Sequence, residues 1–301
     1  MKTLFQLLAI LVGVFCIGCS EGSIDDPNNT PNGNDPKNIV PNDEIWYTNG
    51  STTEPVTPTN PEEEYVWPYN PLIFGANIIS NTYDANKECW VIKFDGEVTR
   101  VGEMAFWERR SITSIALPDS VTSINYSAFK GCVQLTTITY GNNVEIGSRA
   151  FYDCASLTDV VLSDGTTIIA SGAFNGCTSL TNITIPDGVT TIGTGAFARC
   201  KSLSEITLPN SVTTIGDSTF YTCSNLSSIT LGNSVVTIGG YAFFDCASLT
   251  SVYCKATTPP ILGECAFDTY VDTIYVPTES VDTYKYAPGW SDYESKIVGF
   301  Y

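Results

Sequence analysis

The sequence predicts a β-rich solenoid built from units of about 23 residues. Three observations predict it. Phenylalanines recur at Phe106, Phe129, Phe151, Phe174, Phe197, Phe220 and Phe243, with spacings of 23, 22, 23, 23, 23 and 23. From the second onward, a cysteine stands three residues after each phenylalanine and a leucine three further on, from Cys132 and Leu135 to Cys246 and Leu249. After each leucine, apolar residues alternate with outward ones, as in Ile206 and Leu208, which is the two-residue period of a strand. A fixed period of this length marks stacked repeats. One unit has too little apolar surface to fold alone, and stacking buries a continuous core.

Within the unit Ala196 to Gly216, each element follows from its residues. Leu203, Ile206 and Leu208 bury one side of a strand. Pro209-Asn210 is a turn signal, as is Pro186-Asp187 one unit earlier. Val212 and Ile215 bury again, and Gly216 permits a sharp corner. Successive strands should pair in parallel about 4.8 Å apart and form one curved face.

The composition excludes several functions. The chain of 301 residues carries 14 Lys and Arg against 32 Asp and Glu, a net charge of −18, and no histidine. Nucleic-acid binding needs clustered cations, and so does electrostatic docking on anionic lipid. Without histidine there is no Ser-His-Asp or Cys-His arrangement and no His-ligated zinc. There is no glycine-rich phosphate loop of the expected spacing. Carboxylates are plentiful, yet no pair sits where burial and a raised pKa are suggested, so an acidic surface is expected rather than a glycosidase dyad. The expectation is no enzyme, no metal and no cofactor.

The unit resembles the BspA-type leucine-rich repeat of bacterial surface proteins, read here as "AF-x-x-C-x-S-L-T-x-I-x-I-P-x-x-V-T-x-I-G". The resemblance covers roughly Val101 to Phe267. The segments "KATTPPILGECAF" and "IYVPTESVDTYKYAPGWSDYESKI" also look like the usual terminus of that family. Three departures stand out. Arg109 and Ile112 replace the cysteine and leucine of the first unit, Thr166 stands where other units have valine, and one residue is missing near Val144-Glu145-Ile146.

At the N-terminus, Lys2 and the largely apolar stretch Leu4 to Ile17 form a targeting segment too short to span a bilayer comfortably. Its end, Cys16-Ile17-Gly18-Cys19, resembles the bacterial lipoprotein signal, with Cys16 where that signal usually has leucine. The resemblance implies cleavage before Cys19 and lipidation of its thiol, which anchors without spanning. The alternative is an ordinary secretory peptide cut nearby. Ser20, Glu21, Asp25 and Asp26 are similar to a surface-export tag of some Gram-negative lipoproteins, or are simply a solvated acidic linker.

The organisation expected is therefore a lipoprotein signal peptide at 1–18, a flexible acidic, Asn- and Pro-rich tether at 19–41, an N-terminal β cap at 42–100, the solenoid at 101–267 and a C-terminal strand-helix cap at 268–301. In the first cap, Ile45-Trp46-Tyr47 and Trp90 to Phe94 read as strands, separated by a Pro- and Glu-rich insertion from Ser51 to Pro71. In the second, Thr273 to Val276 reads as a strand, and Thr278 should N-cap a short helix through Ala287. Caps of this kind cover strand edges that would otherwise aggregate.

Of 11 cysteines, two lie in the signal region, six form the repeat column, and Cys89, Cys254 and Cys265 remain. The folded part holds no Cys-x-x-Cys pair, so neither a zinc ribbon nor a redox motif is indicated. Column thiols in stacked units point the same way, so they read as small buried fillers that donate weakly to corner carbonyls. Cys254 and Cys265 are the pair to consider for a disulfide, although packing explains Cys254 more simply.

Two surfaces are candidates for binding. Outward strand positions run Ala116, Thr139, Val161, Thr184, Thr207, Thr230 and Tyr253. Thr184, Thr207, Thr230 and Tyr253 either reflect β-propensity or offer a shallow polar surface. One residue after the repeat phenylalanine come Trp107, Tyr152, Tyr221 and Phe244, with Lys130, Asn175 and Ala198 between them. These aromatics either pack beneath the neighbouring corner or stack on sugars and partner side chains. The function expected is a non-enzymatic binding and adhesion protein, an outer-membrane lipoprotein displayed on the cell surface. Its partners would be host or bacterial surface proteins or glycans, with membrane contact through the lipid alone and no nucleic acid. The alternative is a glycan-capturing lipoprotein serving polysaccharide uptake.

Overall fold

The computed structural model describes residues 39–58 and 73–300. The signal segment, Cys19, most of the tether, and residues 59–72 of the Pro- and Glu-rich insertion lie outside the described residues. Among the described residues no helix is long and apolar enough to cross a membrane.

The repeats stack as a coil of short strands. A long ladder runs through nine strands: Ser114–Ala116, Thr137–Thr139, Asp159–Val161, Asn182–Thr184, Glu205–Thr207, Ser228–Leu231, Ser251–Cys254, Thr273–Pro277 and Ile297–Phe300. A short ladder of two-residue strands runs along a second side, from Arg100–Val101 to Ile261–Leu262. Pairing within both is parallel and in register at one repeat, as Ile206 faces Ile229 and Ile192 faces Ile215. The architecture is the predicted β-solenoid.

The corner between the ladders carries the core. Phe106, Phe129, Phe151, Phe174, Phe197, Phe220 and Phe243 are all fully buried. Their rings stack nearly parallel, 5.2–5.7 Å apart. Phe267 extends the stack by one ring at 5.1 Å. Each corner is shaped by two left-handed residues placed two before and two after the phenylalanine. In successive repeats these include Ser127 and Gly131, Arg149 and Asp153, Gly172 and Gly176, and Gly195 and Arg199, with φ from 53° to 79°. Such a bracket turns the chain sharply enough for the Phe N–H to reach the Ala128, Ala150, Ala173 or equivalent carbonyl of the next repeat, at 2.7–2.9 Å.

The thiols close this arrangement. Cys132, Cys154, Cys177, Cys200, Cys223 and Cys246 are buried, and each donates to the phenylalanine carbonyl of the preceding repeat at 3.0–3.2 Å. Burial pushes Cys132 and Cys246 up to about 12 and raises the other four as well. Cys254 and Cys265 do not pair. Cys254 is buried against the Tyr284 hydroxyl at 3.1 Å, and Cys265 is exposed.

The corner glycines work differently from the expectation. Gly216 is not in a left-handed conformation. A Cβ there would sit 2.6 Å from the Thr194 amide nitrogen, and one at Gly239 would sit 2.4 Å from that of Asp217. Close approach of the neighbouring turn, rather than backbone freedom, demands glycine here.

The ladders are interrupted where the sequence lacks a residue. No bridge joins Thr137–Thr139 to Asp159–Val161, and the short ladder stops at the same junction, between Glu145–Ile146 and Ile168–Ile169. Side chains stand in for the lost backbone pairs. The Tyr140 hydroxyl donates to the Val161 carbonyl at 2.7 Å, and the Ser163 hydroxyl bonds both the amide and carbonyl of Val144. A groove of about 390 Å³ opens beside Ile138 and Tyr140. A second break, between Asn182–Thr184 and Glu205–Thr207, affects the long ladder alone.

Both ends are covered. At the N-terminus, β1 (Glu44–Thr48), β2 (Ile78–Asp84) and β3 (Cys89–Phe94) form an antiparallel sheet, and β1 pairs antiparallel with Ser114–Ala116 to seal the first edge. Phe74 meets Phe106 at 5.8 Å and starts the aromatic stack. Glu44, 5% exposed, is held between Lys87 and Lys93 at 3.1 Å each and accepts from the Trp46 indole. Burial pushes its carboxyl up, but those hydrogen bonds outweigh burial and keep it below the usual glutamate value. At the C-terminus, α1 (Val281–Tyr286) and a 3-10 turn, Ser291–Lys296, carry Tyr284, Trp290 and Tyr293 over the last repeat. The Tyr293 hydroxyl donates to the Phe267 carbonyl at 2.9 Å, the bond that thiols make to the phenylalanine carbonyls from Phe106 to Phe220.

Two expectations for this end are corrected. Thr278 does not cap the helix, because its hydroxyl donates to the Phe300 carbonyl at 3.1 Å. The segment also holds a second strand, Ile297–Phe300, which extends the ladder by one.

Two outcomes follow from this packing. Phe197→Ala removes a ring from the middle of the stack and should cost about 3–5 kcal/mol, read as a lowered urea midpoint. Among the nine cysteines of the described region, only Cys265 should react with a maleimide at pH 8. The remainder should react only after unfolding, and rapid modification of the native column would contradict its burial.

Candidate functional site

Stacked solenoids of this kind curve to present a long surface for binding. Phenylalanines at the corner are 5.1–5.7 Å apart, and Tyr253 and Tyr275, outside the long ladder, stack at 4.6 Å. We call the long ladder the concave face and treat the corner as a separate side.

Outward positions of the concave face form one column, set by register. Thr207 faces Thr230, Thr230 faces Tyr253, Tyr253 faces Tyr275, and Tyr275 faces Val298. Thr184 and Thr207 are exposed, and Thr230 and Tyr253 are half-buried. In the first part of the column the side chains are small, and Val161, 79% exposed, is the largest apolar surface there. The last part is aromatic. Tyr253 lies flat on Tyr275, and Phe300 meets Tyr253 edge-on at 6.5 Å. Tyr275 and Phe300 went unrecognised in the sequence. Tyr275 is the outward residue of Thr273–Pro277, and extending the register by one strand would have found it.

The corner column is a separate surface. Trp107 and Tyr221 are about two-fifths exposed, while Tyr152 and Phe244 are half-buried. Tyr221 stacks on Phe244 at 6.1 Å. Tyr152 stands apart from them, three repeats before Tyr221. Between them, Asn175 and Ala198 are short, and a basin of about 400 Å³ opens. Arg199 crosses its edge, donating to Asp153 at 2.9 Å, to Asn175 at 2.7 Å and to the Tyr152 hydroxyl at 3.1 Å. Trp107 is isolated from this group, at the first repeat.

Neither surface has the marks of a reaction centre. Glu44, the carboxylate held most deeply, is satisfied by two lysines and an indole within the N-terminal sheet. Among the described residues, no group of three or more Cys, Asp or Glu is placed to hold a metal ion.

A parallel coil of leucine-bearing turns with one concave ladder defines a leucine-rich-repeat protein. The profile of the BspA type leucine rich repeat region matches residues 76–154 and 144–274, in six copies. The chain belongs to that family. Solenoids of this kind are typically binding scaffolds rather than catalysts. Solved structures similar to it include the leucine rich repeat protein of T. pallidum, 28% identical, with 59% of this chain and 73% of that one covered and a TM-score of 0.40. A leucine rich cell surface protein of Faecalibacterium prausnitzii is 26% identical over 59% of this chain and 64% of its own, with a TM-score of 0.40. A leucine-rich repeat protein of Bacteroides ovatus is 26% identical over 66% of this chain, which spans 45% of that chain, with a TM-score of 0.39. Comparison with curated proteins gives no match.

If the corner aromatics are surface residues rather than core, truncating them leaves stability nearly intact. Tyr221→Ala should shift the urea midpoint far less than Phe197→Ala does. An equal loss would place Tyr221 in the core.

Proposed function

We propose that the protein is a non-enzymatic binding protein, held at the bacterial cell surface by a lipid on Cys19, whose concave face takes a host or bacterial surface protein. The observation that carries this reading is the stacked pair Tyr253 and Tyr275, which follows the threonines Thr184, Thr207 and Thr230 along the column. Tyrosines of this kind supply large contact area at low entropy cost and are enriched at binding hot spots. The flat run of Thr184, Thr207 and Thr230 beside them leaves room for a partner to lie along the ladder. Adhesion to host matrix proteins and contact between bacterial cells are associated with the family the repeat resembles, which agrees with this reading.

Adhesion of cells to surfaces coated with matrix proteins tests it. Cys19→Ala should release the protein into the medium and abolish adhesion. Tyr253→Ala combined with Tyr275→Ala should leave the protein on the cell and weaken adhesion at least tenfold. Undiminished adhesion by the double variant would remove the concave face from the reading.

A further inference from the structure

The corner basin has features that the concave face lacks. Between Ser111 and Cys254 the chain has four cationic residues, Lys130, Arg149, Arg199 and Lys201. Two of these four lie over the Tyr152 ring, and a third lines the basin beside it. Lys130 Nζ lies 5.4 Å from its ring centroid, and the Arg199 guanidinium carbon lies 5.5 Å away. Arg149 lines the same basin, and a methyl group on Gly172 would touch both Arg149 and the Tyr152 ring. In a protein of net charge −18, this concentration of positive charge is local and specific. Arg199 already has Asp153 as a partner. Among the described residues, no ion pair includes Arg149 or Lys130. Arg149 instead donates to the Tyr126 hydroxyl at 3.0 Å and lies 6.0 Å from that ring's centroid, with no carboxylate against it.

The basin exists because side chains are missing from it. The left-handed column that carries Ser127, Arg149, Ser218 and Tyr241 in other repeats carries Gly172 and Gly195 here, at φ +64° and +61°. Ala198 completes a buried, nearly flat floor. Tyr152 and Tyr221 stand at its two ends, three repeats or roughly 15 Å apart. Ser171 and Thr194 are exposed on its rim at successive repeats.

These groups select a ligand class. The backbone amides of the corners are already spent between repeats, as Gly172 N–H on Thr194, Gly195 N–H on Asp217 and Gly176 N–H on Ala198. A peptide strand therefore has no ladder edge to pair with here. What remains is aromatic faces, hydroxyls and unpaired cations. Aromatic faces suit the apolar C–H faces of sugar rings, hydroxyls suit their edges, and guanidinium and ammonium groups suit a carboxylate. Carboxylates elsewhere on the protein are screened beyond a Debye length of about 8 Å at physiological salt. We propose that this basin binds an acidic oligosaccharide of the uronic-acid type, several sugars long, with its rings against Tyr152 and Tyr221 and a carboxylate on Arg149, beside Arg199 at the basin's edge. The site lies apart from the concave face, so it stands or falls separately from the protein-binding reading above.

Calorimetric titration of the full chain at physiological salt tests the proposal, with tetragalacturonate as the probe. A neutral tetrasaccharide and tetraglutamate serve as comparators. The uronate should bind saturably and at least tenfold tighter than either comparator. Arg149→Gln and Tyr221→Ala should each weaken it at least tenfold without moving the urea midpoint. Tyr253→Ala with Tyr275→Ala should bind it as the parent does. Absence of saturable uronate binding overturns the proposal, as does equal binding of the neutral sugar. Equal binding of tetraglutamate would reduce the basin to a patch of positive charge, and parent-like affinity in both basin variants would place the sugar elsewhere.

Discussion

The buried phenylalanine carbonyl is the point on which each turn depends. Stacking the rings in one column forces the adjoining backbone inside, where an unpaired carbonyl would cost on the order of 1–3 kcal/mol. The carbonyls from Phe106 to Phe220 are each satisfied twice, as at Phe129, by the Cys132 amide of its own corner and by the Cys154 thiol of the next. A cysteine does this while filling space as a small apolar group, which a longer donor could not. Where the repeats end, Tyr293 brings a hydroxyl from the terminal cap to the same place on Phe267. The column thus specifies not only that turns stack but also what a cap must supply.

Much of this was legible in the residues, because the constraint repeats. The phenylalanine and cysteine columns, the ladder and the existence of both caps follow from spacing and from alternation. The rest was hidden for identifiable reasons. β2 is polar on both sides, since its half-buried residues pack through Tyr83 and Asn81 rather than through an apolar stripe. Left-handed conformations at Ser127, Arg149 and Arg199 carry no glycine to announce them. The approach of Lys130 and Arg199 to the one ring of Tyr152 involves different positions of the repeat, so no single column displays it. Tyr152 and Tyr221 were visible as aromatics, but the basin between them depends on what Gly172 and Gly195 lack.

Both proposed surfaces arise where the repeat deviates from itself. The concave column carries small side chains, threonine at Thr184, Thr207 and Thr230, until Tyr253 and Tyr275 replace them. The corner is bulky at its ends and bare over two turns. In a solenoid the scaffold positions are fixed by neighbours on both sides, whereas outward positions are free to vary without disturbing the stack. The departures are accordingly the informative residues, and the consensus positions speak mainly of stability.

The double interruption after the second repeat has a consequence for how the molecule comes apart. Folding in a stacked array spreads from turn to turn through the interfaces between them, and its cooperativity is only as strong as the weakest interface. Here both ladders stop together, and the junction is held by the corner bonds, such as Phe129 N–H on the Ala150 carbonyl, by the Tyr140 and Ser163 hydroxyls, and by the phenylalanine stack that continues through it. The N-terminal sheet with the first two turns should therefore behave as one cooperative block, and the later turns with the helical cap as another. A pull along the axis should part the chain first at this seam and leave the later block, which carries Tyr253 and Tyr275, folded.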